Sequence, residues 1–133
     1  MSGWPQQRNT VERRMVQPPT AYRPGLIAAT NNHMYVRLAG TAQQPVAAVT
    51  GDIDQDSGAD LQRALTIALD ASPRRLTIDM TGVGFTDSNG LNVLLRMRER
   101  ARHAGKILSL RPGRCLARLL EVTETGSLFT IEP

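Results

Sequence analysis

One stretch, GVGFTDSNGLNVLLRMRERA from Gly82 to Ala101, constrains the fold more than any other part of the chain. A short apolar strand end runs through Asp87-Ser88-Asn89-Gly90 directly into an amphipathic helix, so this region reads as strand, turn and helix. On that helix Leu91, Leu94, Leu95, Met97, Ala101 and Ala104 gather on one broad side at 100° per residue, while Asn92, Arg96 and Arg100 lie away from it. Arg98 and Arg102 fall near the apolar arc, so their stems must snorkel or the helix must meet something polar there. A serine at such a helix start is expected to expose its hydroxyl beside unpaired backbone N–H groups, a geometry suited to carrying a phosphate. That points to a switch rather than a catalyst.

The flanking residues extend the alternation. Met34 to Leu38 and Val46 to Thr50 read as two strands joined across Gly40 to Pro45, with Gly51-Asp52-Ile53-Asp54 ending the second. Ser57 followed by Asp60 resembles a capping box, and Leu61, Ala64, Leu65 and Ala68 then line one helical face. Leu76, Ile78 and Met80 alternate with Arg75, Thr77 and Asp79 at strand spacing. Beyond the Asp-Ser helix, Gly105 stops the run, Lys106 to Leu110 makes a strand, and Pro112 suits a first helical position. A helix carrying Leu116, Leu119 and Leu120 inward follows, and Leu128 to Ile131 returns as a short strand. The predicted class is therefore α/β, with a mixed sheet of four to five strands packed with α-helices.

A chain of 133 residues has room for one ordinary domain that needs no metal or disulfide support. Of the formal net charge of +4, +3 lies between Met1 and Asn32, where Arg8, Arg13, Arg14 and Arg23 face Glu12 alone. With Pro5, Pro18, Pro19 and Pro24 and no sustained period, residues 1–32 are expected to be a disordered basic extension, and residues 33–133 the domain. Cys115 is the single cysteine, and no apolar run reaches the roughly 18 residues of a membrane span. A cytoplasmic home without membrane attachment is the expectation.

Enzymatic chemistry finds little support. His33 and His103 are the only imidazoles, neither is placed to serve Ser88 in a Ser-His-Asp relay, and Ser88 is not in a G-x-S-x-G frame. Metal and nucleotide motifs are absent, so no cofactor is expected. Asp52, Asp54, Asp79 and Asp87 fall at strand ends, where carboxylates cap turns and helix starts more often than they act as acid-base pairs. Either Asp87 or Ser88 can serve as the helix N-cap; without Glu or Gln at Leu91, a reciprocal capping box is excluded.

The order Thr50-Gly51-Asp52-Ile53-Asp54, Leu76-Thr77-Ile78-Asp79-Met80 and Phe85-Thr86-Asp87-Ser88-Asn89-Gly90-Leu91 resembles the STAS domain of bacterial anti-sigma-factor antagonists. The likeness covers nearly everything after residue 33. It implies that Ser88 is the phosphoacceptor, beside Asp87, and that Asp54 is the last acid of the earlier segment. Gly51, Asp52, Asp54, Thr86, Asp87, Ser88, Asn89, Gly90 and Asn92 are then the expected partner-binding residues. Asp52 stands where the family more often has glutamate, and Asn89 where a second Ser or Thr is common, so a single phosphorylation is expected. The implied partners are an anti-sigma factor with a serine-kinase fold and a PPM-type phosphatase, with no direct nucleic-acid contact; the oligomeric state is left open. The alternatives are a STAS interaction module of a scaffold or lipid-transport complex that is never phosphorylated, a nucleic-acid binder resting on the arginines, and a small hydrolase.

Overall fold

The computed structural model describes residues 22–29 and 34–132. His33, and the expected disordered extension apart from residues 22–29, lie outside the described residues. The elements are β1 (Gly25–Ala29), β2 (Tyr35–Gly40), β3 (Pro45–Ile53), α1 (Gly58–Ala71), β4 (Arg75–Thr86), α2 (Ser88–Ala104), β5 (Ile107–Arg111), α3 (Gly113–Thr123), a 3-10 turn (Gly126–Leu128) and β6 (Thr130–Ile131).

All six strands form one sheet in chain order. β1, β2 and β3 pair antiparallel, whereas β3 to β6 pair parallel, each step crossing over through a helix or the final turn. The mixed α/β class is as predicted, with one strand more. That strand, β1, lies within the stretch expected to be disordered, so order begins upstream of residue 33. Tyr22, just before it, donates its hydroxyl to the Ala39 carbonyl and packs partly against the core.

The alternation along the strands sets the layers. Val36, Leu38, Ala47, Val49, Leu76, Ile78 and Met80 are buried toward Leu61, Leu65 and Leu69 of α1 and Leu94 and Met97 of α2. Tyr35, Arg37 and Thr50, on the alternate positions, are exposed on the opposite face. Gly82 and Gly84, which resemble turn residues, instead lie inside a twelve-residue β4. A Cβ on Gly82 would stand 2.7 Å from the Thr50 methyl, so close strand approach explains this glycine.

β4 continues past the end of its pairing with β5 at Asp79–Arg111, and α3 packs beside the overhang. There Gly113, at φ 71°, lies against Met80 and Thr81 backbone. The Thr86 N–H donates to Cys115 Sγ at 3.4 Å. Arg98 is half-buried and donates from Nε to the Leu128 carbonyl at 2.6 Å, the polar contact its place in the apolar arc demanded.

Candidate functional site

The pairing of β3 with β4 ends at Ile53–Thr86, so the Asp54 loop and the Asp87-Ser88 turn leave the sheet side by side at the carboxyl ends of parallel strands. The two helix starts also converge: a Cβ on Gly58 would lie 3.8 Å from Asn89 Cβ. Gly51 adopts φ 98° where the β3–β4 register shifts, a conformation that favours glycine.

Asp87, not Ser88, caps α2. Its Oδ1 accepts the Asn89 N–H at 2.9 Å, its Oδ2 accepts from Asn89 Nδ2 at 3.2 Å, and its carbonyl accepts the Gly90 N–H at 3.1 Å. Ser88 is therefore the first helical residue. Its side chain is exposed, and among the described residues its hydroxyl makes no hydrogen bond. The expectation of unpaired N–H groups beside it needs correction, because Asp87 already engages the amides of Asn89 and Gly90. An anion thus holds this helix start before any phosphate arrives, which agrees with the sign of the helix dipole.

Asp54 is turned into its own loop. Its Oδ1 accepts from Asp56 N at 2.9 Å and from Ser57 N and Oγ at 3.2 Å, while Ser57 Oγ accepts the Asp54 N–H at 2.9 Å. Ser57 consequently closes the loop behind it, and the capping-box reading fails: its side chain makes no bond to the helix it precedes.

Thr86 and Gly90, expected on the contact surface, lie beneath it. Thr86 is 4% exposed, and a Cβ on Gly90 would fall 2.1 Å from Thr86 Oγ1 and 3.2 Å from Ile53 Cγ2. These two residues let α2 seat directly on the strand ends. Asp52, Ser88 and Asn92 are exposed, with Gly51, Asp54, Asp87 and Asn89 half-buried around them.

A nucleophilic relay is ruled out for His103. It stands fifteen residues beyond Ser88 at the other end of α2, about 22 Å away at 1.5 Å per residue. The residues missed in the sequence are Phe85 and Tyr35, exposed large side chains on strands. The signal for Phe85 was its outward parity between Gly84 and the buried Thr86.

A mixed α/β sheet whose parallel strands end at an exposed serine opening a helix has the architecture of the STAS class. Residues 36–130 match the family model described as "Mlab, STAS domain", and the chain belongs to the STAS family. No curated protein sequence matches it. Among solved structures, an anti-sigma factor antagonist from Mycobacterium paratuberculosis is similar, with 24% identity, TM-score 0.66, and coverage of 80% of this chain and 91% of that one. The Bacillus cell fate determinant SpoIIAA in its phosphorylated form shows 14% identity and TM-score 0.55, over 74% and 91%. The murine Slc26a9 anion transporter shows 15% identity and TM-score 0.59, over 86% of this chain but 21% of that one. At these identities the likeness is one of fold. No helix among the described residues is long and apolar enough to cross a membrane.

Proposed function

We propose that this chain is a non-enzymatic, cytoplasmic anti-sigma-factor antagonist. Its unphosphorylated form binds an anti-sigma factor with a serine-kinase fold and releases a sigma factor, and phosphorylation of Ser88 switches it off. The observation carrying this reading is the exposed, unbonded Ser88 hydroxyl at the first position of α2. STAS membership and the fold shared with antagonists, one of them solved in a phosphorylated form, support it.

The kinase brings its own ATP, Mg²⁺ and general base, and this chain supplies the nucleophile. Ser88 Oγ attacks the γ-phosphorus, the new P–O ester forms as ADP leaves, and the hydroxyl proton passes to the kinase base. A PPM-type phosphatase hydrolyses the ester and resets the cycle. The phosphate adds about −1.5 to −2 charge at neutral pH, next to the Asp87 carboxylate that already caps the helix. Burying that hydrated dianion in a protein contact carries a desolvation cost, and about 3 kcal/mol of penalty weakens binding on the order of a hundredfold.

The test is incubation of the full chain with the purified kinase-type anti-sigma factor and ATP, read by intact mass. One phosphate on the wild type and none on Ser88→Ala is the expected result; equal phosphate on both would falsify the assignment. A second reading, a STAS module of a scaffold or lipid-transport complex that is never phosphorylated, is favoured by the family model's own description and by the occurrence of this fold within a transporter. Intact mass of the protein from its native cell separates the two, since only the switch predicts a phosphorylated fraction.

A further inference from the structure

The open sheet face beside Ser88 carries a feature that the serine does not explain. Four aromatic side chains fall among the described residues. Tyr22 and Phe129 pack against the core. Tyr35 and Phe85 do neither: they are 45% and 49% exposed, although the neighbours Val36, Val83 and Thr86 are buried.

Their positions are related. Tyr35 pairs with Thr50, Thr50 with Gly82, and Asp52 with Phe85, so both rings stand on the face that no helix covers among the described residues, at the end of the sheet where Ser88 emerges. Between them the floor is low. Thr50 is small, Gly82 and Gly84 have no side chains, and a Cβ on Gly84 would reach to 3.1 Å from Asp52 Oδ1. Two aromatics bracketing a glycine-lined strip present apolar area at little entropic cost, the composition of a contact anchor.

The charge around them says what fits. Asp60, Asp70, Asp79, Glu99 and Glu132 each pair with an arginine. Asp52, Asp54, Asp56 and Asp87, all at the serine end, pair with no cation among the described residues. Glu121 and Glu124, at the end of α3, also lack an ion pair among the described residues, but only the serine end gathers four such carboxylates around one surface, and that group is left for an outside complement.

We propose that the docking surface extends from Ser88 across the open face to Phe85 and Tyr35, and that its occupant is a protein partner. That partner seats an apolar ridge on the Thr50–Gly82 strip and faces the four aspartates with lysines or arginines. This rests on the reading under Proposed function, and it adds the anchor residues and the chemistry of the partner's surface.

The probe is the purified kinase-type anti-sigma factor without ATP, titrated with the full chain. Tyr35→Ala with Phe85→Ala is expected to weaken binding about thirtyfold or more, the loss typical of truncated aromatic anchors. Thr50→Lys, which fills the strip without removing a ring, is expected to do the same. Asp52→Asn is expected to reduce the salt dependence of binding. Gln43→Ala, exposed at the opposite end of the sheet, should bind as the wild type does. Wild-type binding left unchanged by the double variant and by Thr50→Lys, with thermal unfolding unaltered, overturns the proposal while sparing the switch. A wild-type dimer that the double variant turns into monomers, with partner binding intact, overturns it in favour of a second copy. Failure of the wild type itself to bind overturns both readings.

Discussion

Strand β4 carries two carboxylate neighbourhoods of opposite character. At Asp79 every demand is met: Thr81 donates from N at 2.9 Å and from Oγ1 at 2.6 Å, and Arg111 from Nη1 at 3.2 Å. Arg111 also reaches Glu132 at 3.0 Å, and Glu132 accepts from Thr77 Oγ1 at 3.0 Å, tying the chain's last described residue to the sheet. At the other end of the strand the Asp87 carboxylate accepts from the Asn89 N–H and Asn89 Nδ2 and meets no cation among the described residues, with the exposed Ser88 next to it. One group of charges is thus closed upon itself, and the other is left without a cation among the described residues, within one strand's length.

The largest effect should come from altering the open end. Ser88→Asp is expected to weaken partner binding by up to about a hundredfold while Ser88→Ala retains it, measured by calorimetric titration. An equal loss in both variants would show that the hydroxyl, rather than added charge, governs docking. Gly90→Ala comes next, because its methyl would meet Thr86 and Ile53; about 1–3 kcal/mol of destabilisation is expected in urea unfolding. Asp87→Ala removes the N-cap of α2 and should cost about 1 kcal/mol by the same measurement.

The smallest effect tests the closed end. Burial pushes the Asp79 carboxyl up, but the Thr81 donors and Arg111 together hold it below the usual carboxylate range. The Arg111 hydrogen bond is the main cause that holds Glu132 low as well. Both folded-state values are depressed, so their contribution is present above the unfolded-state pKa values near 4 and fades as pH falls through the lower folded ones. The side chains are a fifth to a third exposed, which keeps the contribution modest. Glu132→Gln is expected to flatten the acid limb of a stability–pH curve without changing partner binding at neutral pH; a binding loss there would erase the contrast between the two ends.

The course of the fold was legible because strand and helix periods alternate cleanly from Met34 onward. What escaped had local causes. β1 is five residues, Gly25-Leu26-Ile27-Ala28-Ala29, placed just after Pro24 in a basic tract; it gains its order from antiparallel pairing with β2, and its own short run of glycine and apolar residues has no alternation to read. The length of β4 was hidden by Gly82 and Gly84, whose role is close approach to β3 rather than a turn. At the site, the strand-end position of Asp87-Ser88 could be read directly. The choice of Asp87 as the cap, and the inward turn of Asp54 toward Ser57, depend on side-chain rotamers that spacing does not encode.

The parallel arrangement of β3, β4 and β5 also gives the molecule a remote rim. The turn at Ala42 to Gln44, the Ser72 to Arg74 connection and Lys106 cluster there around one shallow hollow, separated from Ser88 by the twelve residues of β4, about 40 Å of strand. A fluorophore or affinity handle grafted at exposed Gln43 therefore sits on the far pole from the proposed docking surface, where it can report on complex formation without standing in the way.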